Sequence, residues 1–200
     1  MKKRMLTLIA LLLLTSVAQA EVDLQALEQT PGYTVFADVD GANTVVRPPN
    51  QPFLGTMSGD GSLIAYLDLV ELPNHNAVAP RLTIALELSD RLNADTVTLC
   101  FGGSAYCFAA TPVISDYDMT YYEDYGLYLV GAAQPLMQAL VHANGDLIDV
   151  LLTAEDGAAL EGSVSLPADE VTAILARYEE VGGTAQDLNG MEAITPVEVR

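Results

Sequence analysis

Apolar and polar residues alternate along much of this chain, and in two stretches the alternation gives way to a helical period. Across residues 81–88, Leu82, Ile84, Leu86 and Leu88 fall on one side and Arg81, Thr83, Ala85 and Glu87 on the other. Period-two alternation is what a sheet with one buried face requires. Residues 62–70 (SLIAYLDLV) predict a second long strand, and residues 33–37, Thr44–Arg47, Thr96–Phe101, 106–110 and 127–130 predict shorter ones. Residues 146–153 and 160–166 read as a hairpin around Glu155-Asp156-Gly157. The helical period governs Gln134–Ala143, where Pro135 suits the first turn, and residues 167–180. The second helix carries Val171, Ile174, Leu175 and Tyr178 on one stripe, acids in its first turn, and Gly182-Gly183 as a stop. Residues 48–61, 73–80 and the acidic, tyrosine-rich 115–126 read as connections, and residues from about 184 onward as a tail or terminal strand. The expected fold is mainly β, an antiparallel β-sandwich-like single domain with one or two short helices, and an α+β layout is the alternative.

The first twenty residues belong to a different pattern. Lys2, Lys3 and Arg4 precede a short apolar run, and Ala18-Gln19-Ala20 closes it with a small residue at each end. That is the layout of a secretory signal peptide cleaved after Ala20, with the working domain at 21–200. The apolar run is shorter than the roughly 20 residues a spanning helix needs, and no later stretch is long and apolar enough for a membrane span. A periplasmic or secreted bacterial protein is expected. Beyond Ala20 the cations are Arg47, Arg81, Arg91, Arg177 and Arg200, and these five against 27 acids leave a formal charge of −22. Such a surface repels nucleic acid and anionic lipid. It favours a protein partner, and a cationic one in particular, although plain solubility also accounts for the charge.

Export places Cys100 and Cys107 in an oxidising compartment, where an even count predicts a disulfide. With Gly103-Ser104 as a type II′ turn, residue 100 faces residue 107 across a hairpin, at a separation a disulfide allows. A redox role is disfavoured by the spacing and by the lack of an adjacent histidine or lysine. Asp116, Asp118, Glu123 and Asp124 offer carboxylates that could hold calcium. Their order does not fit an EF-hand, and a solvated acidic loop is the plainer reading. Tyr117, Tyr121, Tyr122, Tyr125 and Tyr128 crowd the same segment and make it the best candidate partner surface. His75 and His142 stand far apart and make no zinc site. No nucleophile elbow, phosphate loop or zinc-protease motif is present, so no catalytic residue and no cofactor is assigned.

The order of elements resembles the invasion-associated locus B family of small exported bacterial proteins. The likeness covers about residues 80–180: an alternating strand, the close pair Cys100 and Cys107, the helix around Leu136-Met137-Gln138-Ala139-Leu140, the hairpin ending Gly162-Ser163-Val164-Ser165-Leu166, and the helix around Ala173-Ile174-Leu175-Ala176. It implies a β-rich sandwich and an envelope or secreted role, and supplies no catalytic residues. The function expected is contact with another protein, without enzymatic chemistry. A second reading is an acidic inhibitor or sequestering binder of a cationic protein such as lysozyme, which the Gly-rich stretch Ser58-Gly59-Asp60-Gly61 before Tyr66 echoes faintly. A hydrolase of unassigned type is the third.

Overall fold

In the computed structural model, residues 23, 25–26, 29, 31–37, 44–72, 77–129, 134–143, 145–181 and 195–198 are described. The leader with its cleavage point, His75 and Gly182-Gly183 lie outside them. The strands are β1 (Thr34–Ala37), β2 (Thr44–Arg47), β3 (Phe53–Leu54), β4 (Thr56–Met57), β5 (Gly61–Leu72), β6 (Ala77–Leu88), β7 (Thr96–Phe101), β8 (Ser104–Ala109), β9 (Val113–Tyr117), β10 (Thr120–Tyr128), β11 (Leu147–Thr153), β12 (Ala159–Ser165) and β13 (Thr195–Glu198). Helix α1 spans Gln134–Ala143 and α2 spans Ala168–Glu180.

All pairings are antiparallel. The first sheet runs β1-β2-β5-β6-β10-β9, with β3 also on β5, and the second runs β13-β8-β7-β11-β12-β4. The expected mainly-β, two-sheet architecture is what the chain adopts. Alternation explains which face goes in. Leu63, Ala65, Leu67 and Leu69 of β5 and Leu82, Ile84, Leu86 and Leu88 of β6 join Val97, Leu99, Ile148, Val150 and Leu152 of the second sheet in one core. Leu136, Met137 and Leu140 of α1 and Val171, Ile174 and Tyr178 of α2 complete it. Each fully buried leucine contributes roughly 1.5–3 kcal/mol.

The sheets meet at a corner. Phe53 and Leu54 pair with β5, and two residues later Thr56 and Met57 pair with β12. Gly55 makes the crossing because no side chain fits there: a Cβ would lie 2.6 Å from the Ser163 carbonyl oxygen. Between β2 and β3, Gln51 acts as a strand partner. Its amide accepts from Leu67 N at 2.7 Å and donates to Leu67 O at 2.6 Å.

Several expectations change. Residues 48–61 contain β3 and β4, and β6 begins at Ala77 within the expected loop. The largest change is at residues 115–126, which form not a connection but most of a hairpin. Thr120 pairs with Tyr117 across a two-residue turn, Asp118-Met119, with φ 50° and 64°. That twist suits a hairpin, but the turn is normally made by Asn-Gly or Asp-Gly, so Met119 hides it.

The cysteine hairpin turns one residue earlier than expected. Gly102 and Gly103 take φ 57° and 76°, a turn that glycine permits at both positions, and Phe101 pairs with Ser104. Cys100 therefore faces Ala105, and Cys107 faces Thr98. Diagonal neighbours lie about 7–8 Å apart, with their Cβ atoms somewhat nearer, against a Cβ separation of roughly 3.5–4.5 Å in a disulfide. Both cysteines are free, and Cys107 Sγ lies 3.2 Å from Thr98 Oγ1.

Candidate functional site

The outer face of the first sheet carries a cleft. Here β5, β6 and β10 present Ser62, Ile64, Tyr66 and Asp68; Arg81, Thr83, Ala85 and Glu87; and Tyr122, Asp124, Gly126 and Tyr128. The central residues Gly126, Thr83 and Ala85 are small, while Tyr66, Tyr122, Tyr128 and Arg81 rise around them, so the sheet face is hollow. Thr111 and Val113 border it on the β9 side, and its volume is about 760 Å³. That lies within the roughly 300–1,000 Å³ typical of ligand pockets.

One row across the cleft is charged. Tyr128 faces Arg81, and Arg81 faces Asp68. Asp68 is fully buried, accepting from Arg47 Nη2 at 2.9 Å, from Arg81 Nε at 3.1 Å and from Arg81 Nη2 at 3.3 Å. The Arg81 fork is the bidentate geometry that guanidinium favours. Arg47 also lies between two rings, 3.8 Å from the Tyr66 centroid and 4.8 Å from that of Phe36. The row thus holds two cations on one carboxylate, in a chain with only five arginines beyond Ala20. Two buried polar atoms of the lining, Arg47 Nε and Thr83 Oγ1, have no hydrogen-bond partner among the described residues. A buried group left so costs about 1–3 kcal/mol.

The tyrosine and acid candidates are divided between the two faces of one sheet. Tyr122 and Tyr128 line the cleft, and Tyr117 is exposed near the β9–β10 tip. Tyr121 lies on the opposite face of β10, with the Arg91 guanidinium 4.9 Å above its ring. Tyr125 is fully buried, which removes it from any partner surface. Its hydroxyl donates to Glu123 and accepts from Ala94 N at 2.9 Å. Burial, and then the bond to Glu123, raise its pKa well above the tyrosine range.

The calcium reading is corrected by the same alternation. Glu123 points inward, is fully buried, and accepts from Leu92 N at 2.8 Å and Asn93 N at 2.9 Å, so its oxygens are committed to the 91–95 loop. Asp124 points the other way into the cleft, Asp116 pairs with Arg91 at 3.0 Å, and Asp118 sits in the turn. No group of three metal-ligating side chains forms among the described residues.

Sequence reading missed Arg47, Asp68, Arg81 and Thr83. The available signal was polar residues at the outward positions of the two strongest strands, Asp68 on one and Arg81 and Thr83 on the other. No family model, no curated protein and no solved structure matches this chain. No helix among the described residues is long and apolar enough to cross a membrane.

Proposed function

We propose that this is an exported protein that acts by contact, without chemistry of its own, and that the cleft on the first sheet is its recognition surface. The hollow itself carries the reading. An outward sheet face in a sandwich is ordinarily flat and polar, whereas this one sets Ile64, Tyr66, Tyr122 and Tyr128 beside a buried Asp68 held by the partly buried Arg47 and Arg81. Aromatic and arginine side chains are the residue types enriched in binding surfaces. The leader pattern, and the likeness in order of elements to the invasion-associated locus B family, support an envelope or secreted setting.

The test expresses the full 200-residue chain and exposes the purified protein to envelope extract. Ile64→Glu places a charge on the cleft floor, and Leu147→Glu places one at an exposed site on the second sheet. Stoichiometric capture that Ile64→Glu loses and Leu147→Glu keeps is the expected result. Equal capture by both variants counts against the cleft.

One observation favours the acidic-binder reading as a second. At the β9–β10 tip Tyr117 and Met119 are 77% and 86% exposed, beside Asp116 and Asp118. An apolar tip flanked by acids suits a cationic partner. Binding that weakens steeply with salt and is lost in Met119→Ser would move the contact from the cleft to the tip.

A further inference from the structure

The first sheet ends in an open edge. β9 is its last strand, and β10 is the one strand paired with it among the described residues. In an antiparallel ladder, pairs that exchange both backbone bonds alternate with pairs that exchange none, and the pair closing a two-residue turn is of the first kind. Tyr117 with Thr120, Ser115 with Tyr122 and Val113 with Asp124 are therefore the bonded pairs. Ile114 and Asp116 turn their N–H and C=O groups outward, where no backbone partner meets them among the described residues.

Open edges are ordinarily blunted by lysine, proline or a bulge. β9 has none of these: it reads Val-Ile-Ser-Asp-Tyr, and its pairing with β10 runs without a break. Asp116 is the strand's one charged residue, and Arg91 holds it at 3.0 Å. The edge is thus locally neutral on a strongly acidic chain, with Val113 and Tyr117 exposed along its cleft side. A foreign cationic strand finds no unpaired acid on β9 to recognise.

A second copy matches this edge in one register. With Ser115 on a two-fold axis, Ile114 faces the partner's Asp116, and each such pair exchanges two backbone bonds. Val113 then faces the partner's Tyr117, a β-branched residue against an aromatic ring, which is a stabilising cross-strand pair. A register centred on Asp116 sets like charges opposite each other. One centred on Ile114 carries Tyr117 past the end of β9, to the partner's Thr111. We propose that two copies pair antiparallel through β9 about an axis at Ser115, joining their first sheets into one. Both clefts then open on the same face, with Val113 and Ser115 of each copy between them. The contact is small, of the class that makes weak, concentration-dependent dimers. Like charge on the two bodies opposes it until salt screens them.

Sedimentation velocity on the protein purified from the full chain, over rising concentration and salt, gives the first readout. The expected result is a monomer–dimer equilibrium that strengthens with salt, the opposite sign to capture of a cationic partner. Ile114→Pro removes an outward N–H and none of the bonds to β10, so it should stay folded by circular dichroism and weaken dimerisation at least tenfold. Val113→Asp should weaken it too, whereas Ile64→Glu in the cleft should not. Cross-linking supplies the second readout. The two Ser115 residues form a non-hydrogen-bonded pair with Cα atoms about 4.5 Å apart, within the range of a disulfide. Ser115→Cys should therefore link copies through position 115 under mild oxidation, as mapped by mass spectrometry, and Tyr117→Cys should not link to itself. A monomer at every concentration and salt, a dimer unchanged in folded Ile114→Pro, or equal cross-linking by Tyr117→Cys and Ser115→Cys would overturn the proposal. If Ile114→Pro does not fold, the cross-link decides. Dimerisation without partner capture overturns the cleft reading alone, and capture without dimerisation overturns the β9 pairing alone.

Discussion

Asp68 and Glu123 are both fully buried carboxylates on neighbouring parts of one sheet, yet they occupy opposite situations. Glu123 faces the core side, and its partners are backbone N–H groups and one tyrosine hydroxyl. Those neutral donors use its oxygens to hold a loop in place. Asp68 faces the cleft side, and its partners are two cations, the guanidiniums of Arg47 and Arg81. One buried acid holds a loop through neutral donors, while the other gathers two guanidiniums at the wall of a hollow. Burial of an acid therefore does not mark a site by itself; the kind of donor around it, and the face it lies on, do.

The sharpest way to break this comparison is to remove each acid in turn. Asp68→Ala leaves two partly buried guanidiniums without their carboxylate and should cost roughly 3–5 kcal/mol. Glu123→Ala strips the 91–95 loop of its acceptors and should also destabilise. Urea unfolding measures both. The two should part on function: under conditions where each variant is still folded, partner capture is lost in Asp68→Ala and retained in Glu123→Ala. Loss in both, or in neither, would erase the distinction.

A smaller effect is expected at Tyr125. Tyr125→Phe removes the donor to Glu123 and leaves Ala94 N–H unpaired, at a cost of about 1–3 kcal/mol. The raised pKa of Tyr125 gives the pH dependence a sign. The folded protein keeps this proton to higher pH than the unfolded chain, so the stabilisation is complete below about pH 10 and falls as pH rises beyond it. Thermal unfolding from pH 8 upward should show that fall, and Tyr125→Phe should flatten it. An alkaline limb unchanged in the variant would assign the fall to other groups.

The smallest effect lies on the second sheet, where Cys100 and Cys107 share an outward face. Intact mass should not change on reduction, and both thiols should take up an alkylating reagent. Cys100 should react more slowly than an ordinary thiol, because burial, then Asp149, then Cys107 raise its pKa and lower its thiolate fraction. A mass gain on reduction would mean that the diagonal register does not hold in the protein as isolated.

These comparisons also mark how far the residues alone could be read. Strands with apolar alternation, such as Leu82 to Leu88, were legible because one face is purely apolar. Both helices were legible from their stripes, Gln134–Ala143 to the residue and the second to within Pro167. The β9–β10 hairpin was not, because Glu123 occupies an inward position where alternation expects an apolar residue, and because Asp118-Met119 carries no glycine at its turn. Glu123 is held there by the Tyr125 hydroxyl and by backbone donors some 30 residues away, and no local pattern announces the latter. The cysteine register failed by one residue, since Gly102-Gly103 and Gly103-Ser104 are both plausible turns. The cleft was half legible: Tyr122 and Tyr128 stood out by crowding, whereas Arg47, Asp68 and Arg81 lie 13 and 21 residues apart in the chain and meet only through strand pairing.

The most direct measurement is site-specific photocrosslinking in cells expressing the full chain. A photoreactive residue at Ser62, on the exposed end of the cleft, is compared with one at Leu147, exposed on the other sheet. The account predicts a discrete crosslinked partner from position 62 that disappears when Ile64→Glu is added, and none from position 147. Crosslinks of equal yield from both positions, or from 147 alone, would contradict the claim that the hollow face of the first sheet is where this protein makes contact.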